Sequence, residues 1–172
     1  ARYRDERLTE VSATTVRKEL LLLRHLFEVA RREWGFLDDN PMSLIRKPVE
    51  GPARMRRLEP GEEKILLHEL SGARNKWIKP LVQFALETAM RRSELLGLTW
   101  DNVGLNQRVV RIDITKNGIR REVPLSTRAI DILEHVPSDN SGRVFATTVY
   151  GLRSAWYNAC ERAGLTDIRF HD

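Results

Sequence analysis

The amino-acid sequence predicts a mainly α-helical protein with one small antiparallel β-sheet, an α+β chain, on three observations. Apolar residues recur at intervals of three and four over most of the 172 residues. Two runs rich in β-branched residues, "RVVRID" from Arg108 to Asp113 and "RREVPL" from Arg120 to Leu125, flank the turn sequence "KNG". The stretch "RKPVEGPARMRR" from Arg46 to Arg57 holds Pro48, Gly51 and Pro52, which interrupt either kind of element and divide the chain in two.

In the first part, Val16, Leu20, Leu23, Phe27, Ala30 and Trp34 fall on one helix face, with Arg17, Lys18, Glu28 and Arg31 between them. Ser12 is the expected N-cap and Gly35 the expected stop, and "LDDNP" from Leu37 to Pro41 is a turn able to start a short second helix at Pro41. Leu21, Leu22 and Leu26 widen the apolar face beyond what one partner covers, so this piece needs neighbours.

After the linker, "EPGEE" from Glu59 to Glu63 reads as a helix start with Ile65, Leu66 and Leu70 buried. A helix from Trp77 to Thr88 follows, with Pro80 in its first turn, where the missing N–H costs nothing, and Leu81, Phe84, Ala85 and Thr88 on one face. A shorter helix, Ser93 to Leu98, comes next, which leaves Arg91 at the junction of two helices. The hairpin then carries Lys116 at its tip. Helices from about Ser126 to His135 and from Thr147 to Ala163, with a short strand at Arg143 to Phe145 between them, complete the chain.

Composition narrows the functional classes. At 41% hydrophobic the chain can build a core, and its single cysteine, Cys160, makes no internal disulfide. No signal-peptide pattern and no bilayer-spanning apolar run is present, so the expected setting is the reducing cytoplasm or the nucleoid, with no membrane partner. The net charge of +5 permits a polyanionic partner without demanding one. Its location says more: residues 1–45 balance eight basic against eight acidic side chains, residues 58–172 sixteen against fifteen, and residues 46–57 hold five against one. Arg46, Lys47, Arg54, Arg56 and Arg57 therefore read either as a solvated tether or as a strap along a nucleic-acid backbone.

Considered singly, an arginine at a helix junction is a surface residue or a cap, and a lysine in a turn is simply solvated. In order, "TAMRRSELLGLTW", "ITKNGIRREVPL" and "IRFHD" resemble the tyrosine recombinases, also called phage-type integrases, and the resemblance covers nearly the whole chain. It implies a helical core-binding piece (1–45), a basic linker (46–57) and a mixed catalytic domain (58–172). Arg91 matches the family's first catalytic arginine, with Ser93 and Glu94 after it, Lys116 its hairpin lysine, and His171 the first residue of its His-x-x-Arg box. Ala89 stands where the family commonly has glycine, from which we expect that this position need not adopt a positive φ.

The chemistry implied by the resemblance uses these residue types. Attack of a side-chain oxygen on a DNA phosphodiester gathers negative charge on the non-bridging oxygens, and fixed cations must meet it there. Arginine stays protonated and its fork donates two parallel hydrogen bonds to phosphate. Arg92, one residue on, should point elsewhere. A lysine such as Lys116 can protonate the leaving 5′ oxygen, and His171 can relay the nucleophile's proton or hydrogen-bond the phosphate. Glu94 reads equally as the group that orients Arg91 and as a helix N-terminal acid favoured by the macrodipole.

The family's second arginine, its third box and its nucleophilic tyrosine find no match before Asp172, because Tyr3, Tyr150 and Tyr157 all precede His171. Tyr150 and Tyr157 are expected as packing residues of the last helix. The resemblance thus implies a fragment of a site-specific DNA recombinase, whose parent forms a 3′-phosphotyrosyl intermediate without nucleotide, metal or other cofactor. Its partners would be double-stranded DNA and other protomers in a tetrameric synapse. The alternative is a non-catalytic DNA-binding module of the same fold.

Overall fold

The structure is a computed structural model that describes residues 1–52, 54–112 and 120–171. The chain divides into two compact units, Ala1–Arg54 and Met55–Asp172.

The first unit is built on α2 (Ala13–Arg32). Ser12 caps it: the side-chain oxygen accepts the Thr15 N–H at 3.3 Å. Val16, Leu20 and Ala30 are buried along its inner face, with Leu23 and Phe27 partly covered. Trp34 lies beyond the helix end and is half exposed against Phe36, so the expected apolar stripe stops one turn early. A helix that the apolar pattern did not announce, α1 (Arg2–Glu10), is fastened to α2 by polar contacts. Arg7 grips Glu19 through both carboxylate oxygens at 2.7 and 3.1 Å, and the Tyr3 hydroxyl donates to Glu19 at 2.9 Å. The segment after Gly35 makes a turn and no second helix at Pro41. Buried Asn40 explains this: its amide donates to the Arg24 carbonyl and to Glu28, while its oxygen accepts the Met42 N–H. That side chain replaces a helical turn as the partner of the local backbone. Glu28 is held down to about 2 by hydrogen bonds from Arg31, then Asn40.

The second unit packs α3 (Glu62–Ser71), α4 (Ile78–Thr88), α6 (Thr127–Glu134) and α7 (Val149–Arg162) around one apolar core, with α4 against α3 and α6, and α3 against α7. Phe84 and Phe145 meet at its centre with ring centroids 5.7 Å apart. Leu66 and Leu70 are buried as expected, but Ile65 is 50% exposed. It lies one residue off the stripe that α3 turns inward. On α7, Leu152, Ala159 and Cys160 face the core, which leaves Tyr150 and Tyr157 on the opposite side at 81% and 66% exposure. They are not packing residues, contrary to the expectation.

Short α5 (Arg92–Leu96) follows α4, and a 3₁₀ turn at Trp100–Asn102 leads into the sheet. Strands β1 (Val103–Gly104), β2 (Val109–Ile112) and β3 (Arg121–Pro124) are antiparallel in the order β1-β2-β3. Val110 sits opposite Val123 and Ile112 opposite Arg121. Val110, Ile112 and Val123 point inward, while Arg111 and Glu122 pair across the outer face at 3.4 Å. The expected strand at Arg143 to Phe145 reduces to a single bridge, Thr99 with Arg143. Its chain is held there by the Val144 N–H on the Leu98 carbonyl, 2.9 Å. Lys116, at the expected hairpin tip, lies outside the described residues.

Candidate active site

The junction of α4 and α5 is shaped by three consecutive residues. Ala89 ends α4 in the left-handed region at φ 50°, its N–H still bonded to the Ala85 carbonyl. Met90 is buried beneath the turn, and Arg91 is extended as the N-cap of α5. From the alanine we expected that position 89 need not adopt a positive φ; it adopts one all the same. An αL residue closes a helix by turning the chain back over its last carbonyls, and here alanine carries out that turn with a Cβ the conformation disfavours. We expect Ala89→Gly to raise the unfolding free energy by about 1 kcal/mol, read as a higher urea midpoint, since strain relief outweighs the added unfolded-state entropy.

Glu94 fixes the base of Arg91 from inside the fold. Its side chain is 6% exposed. One carboxylate oxygen accepts the Arg91 backbone N–H at 2.8 Å and a guanidinium nitrogen of Arg121 at 2.8 Å; the other accepts an Arg91 guanidinium nitrogen at 3.2 Å. Both contacts foreseen for Glu94, with the arginine side chain and with the helix N-terminus, are present at once. Burial pushes its carboxyl upward, but the bonds from Arg91 and Arg121 outweigh it and leave the acid below its ordinary range. The Arg91 side chain itself is 54% exposed, so its remaining donors face outward from a fixed base.

His171 reaches the same junction from the far end of the chain. Its Nε2 accepts the Arg92 backbone N–H at 3.3 Å, which leaves Nδ1 as the ring's donor. Phe170 holds the ring in an edge-on contact at 5.2 Å and is itself edge-on to Trp156 at 5.4 Å. The side chain of Arg92 turns the other way. It lines a groove of about 610 Å³ with Arg153, Tyr157 and Phe170 of the α7 side, which Arg91 does not line.

Arg121 was not foreseen. The strand pattern located it on β3 but gave no sign that a residue 27 positions away would share its partner. In the linker, the fork of Arg56 meets both oxygens of Glu62 at 2.8 and 2.9 Å. Arg46, Arg54 and Arg57 are exposed, and Lys47 is partly so. Among the described residues, no group of three or more His, Cys, Asp or Glu could hold a metal ion, and no helix is long and apolar enough to cross a membrane.

A helix-junction arginine braced by a buried carboxylate, beside a histidine, on this helical fold with a three-stranded sheet, defines a class, and comparison with known proteins agrees. Residues 56–172 match the Phage integrase family, and the chain belongs to it, among the tyrosine recombinases. The chain is 41% identical over its full length to a shufflon-specific DNA recombinase of Escherichia coli, of which it covers 47%, and 29% identical to the integrase of Salmonella phage P22, covering 94% of this chain and 45% of that protein. It thus spans about half the length of the curated relatives it matches. In fold it is similar to lambda integrase, in a crystal structure of a dimer bound to a COC′ core site, with TM-score 0.80 at 17% identity over 98% of this chain and 52% of that one.

Proposed function

We propose that this chain is part of a site-specific DNA recombinase that cuts and rejoins strands through a 3′-phosphotyrosyl intermediate, binding duplex DNA in the cytoplasm as one of several protomers. Residues 1–45 are read as the end of a core-binding domain, 46–57 as the linker and 58–172 as the catalytic domain, all assigned by the family resemblance.

The observation that carries the reading is the braced arginine. A half-exposed guanidinium whose base is locked by a buried carboxylate and by a helix N-terminus is preorganised for an oxyanion that arrives from solvent. In the proposed step a tyrosine oxygen attacks phosphorus and gives up its O–H proton to solvent, the P–O5′ bond breaks, the new ester keeps the bond energy, and the 5′ oxygen leaves as a hydroxyl with a proton of its own. Arg91 binds the non-bridging oxygens, Lys116 supplies that proton, and Glu94 holds Arg91 in place. His171, with Nε2 occupied by the Arg92 N–H, has its Nδ1–H to donate to a phosphate oxygen. The 172-residue chain has no match to the nucleophile, so it is proposed to bind DNA and leave it uncut.

Binding tests the reading directly. The affinity of this chain for a short duplex should fall as salt rises, with about 0.9 added to the logarithmic slope for each phosphate neutralised. Replacing Arg46, Lys47, Arg54, Arg56 and Arg57 with alanine should flatten that slope. Arg56→Ala should flatten it less than Arg57→Ala, because Glu62 already holds the Arg56 guanidinium. An unchanged slope in the quintuple variant makes the linker a tether only.

A further inference from the structure

Two arginines from different elements hold the same carboxylate. Arg91 comes from the α4–α5 junction and Arg121 from the first position of β3, and Glu94 accepts from Arg91 on one oxygen and from Arg121 on the other. We propose that Arg121 is a further phosphate-contacting residue, which binds the same DNA phosphate as Arg91 with Glu94 as the shared brace. The inference rests on reading the Arg91 site as a DNA-phosphate site.

Three features carry it. The first is charge: one carboxylate faces two guanidinium groups, so the cluster keeps an excess positive charge that a phosphate diester can meet. The second is access. The shared carboxylate is buried, but the Arg121 side chain is 40% exposed and that of Arg91 is 54% exposed, so both heads open to solvent from a common covered base. The third is geometry. Each guanidinium carries five N–H donors, and the bonds to Glu94 engage Nη1 of Arg91 and Nη2 of Arg121, which sets the two forks side by side within the span of one carboxylate. Capping α5 requires only the Glu94 bond to the Arg91 backbone N–H, so the cap alone does not account for the second cation. Nor does the sheet, since Arg121 sits opposite Ile112 and the outer-face ion pair is made by its neighbour Glu122.

Arg121→Gln separates the two roles a guanidinium can have here, because it keeps a donor for Glu94 and removes the charge. Binding of the 172-residue chain to a short duplex is measured by fluorescence anisotropy across a salt series, with thermal melting run on every variant. Arg121→Gln should melt close to wild type yet lose about one unit of logarithmic salt slope, as should Arg91→Gln; Arg121→Lys should restore the slope. The double variant Arg91→Gln with Arg121→Gln should lose about one unit as well, since both cations serve one phosphate. A loss of about two units would put them on separate phosphates and overturn the sharing. A wild-type slope in Arg121→Gln would reduce Arg121 to a structural partner of Glu94 and overturn the proposal while leaving the recombinase reading intact. Absence of salt-dependent binding by the wild-type chain would overturn both.

Discussion

Arg91→Ala, made in a DNA-cleaving recombinase that contains this segment, is expected to lower covalent protein–DNA adduct formation about 10²–10³-fold, while Arg92→Ala leaves most of it in place. Removing one preorganised donor from an oxyanion site has this scale of effect because the donor is fixed before charge develops. Arg91 meets that condition through two contacts to Glu94, one from its backbone and one from its side chain. Arg92 contributes a backbone N–H to His171, which alanine retains, and its side chain turns into the groove beside α7. The assay is a nicked suicide substrate followed on a denaturing gel. The 172-residue chain itself should give no adduct. One mapped to Tyr150 or Tyr157, both exposed on α7, would overturn the match of His171 to the family's histidine box and the reading that the nucleophile has no counterpart here.

Glu94→Ala is expected to destabilise the chain by about 2 kcal/mol at neutral pH, from the loss of a buried, charge-assisted acceptor and an N-terminal cap. Glu94→Gln should cost less, since an amide oxygen still accepts the Arg91 N–H. The pH dependence comes from the lowered carboxyl. A carboxylate depressed in the folded state contributes in full above the ordinary glutamate range, about 4.3, and its contribution is lost as pH falls through the lower folded value. Urea midpoints should therefore fall from about pH 4 downward, and less steeply in Glu94→Gln. Part of the slope should persist in the variant, because Glu19, held down by Arg7, and Glu62, held down by Arg56, titrate the same way. An identical acid limb in wild type and variant would show that Glu94 does not carry the linked proton.

Most of the elements, and most residues of the candidate site, could be named from the sequence. The period of α2 and α4, the Ser12 cap and the alternation of Val110 and Ile112 in β2 are local, because the 3.6 and 2.0 repeats of backbone geometry write burial directly into residue spacing. Arg91, Glu94 and His171 could be named from order and spacing, as could Lys116, which lies outside the described residues. Local signals failed where a contact spanned the chain or a backbone angle depended on packing. The positive φ of Ala89 belongs to the turn that ends α4 just before buried Met90, and alanine itself gives no cue for it. The exposure of Tyr150 and Tyr157 depends on which side of α7 meets the core, a choice that an apolar ring by itself does not announce. Arg56, read from sequence as one of five linker cations, proves to be held by Glu62. What the sequence determined by itself was most of the elements, the family and the charged residues that are candidates for the site. Only the tertiary structure decided which of them meet: Arg121 comes to Glu94 across 27 residues and His171 to the Arg92 N–H across 79, through single long-range hydrogen bonds that no residue period encodes.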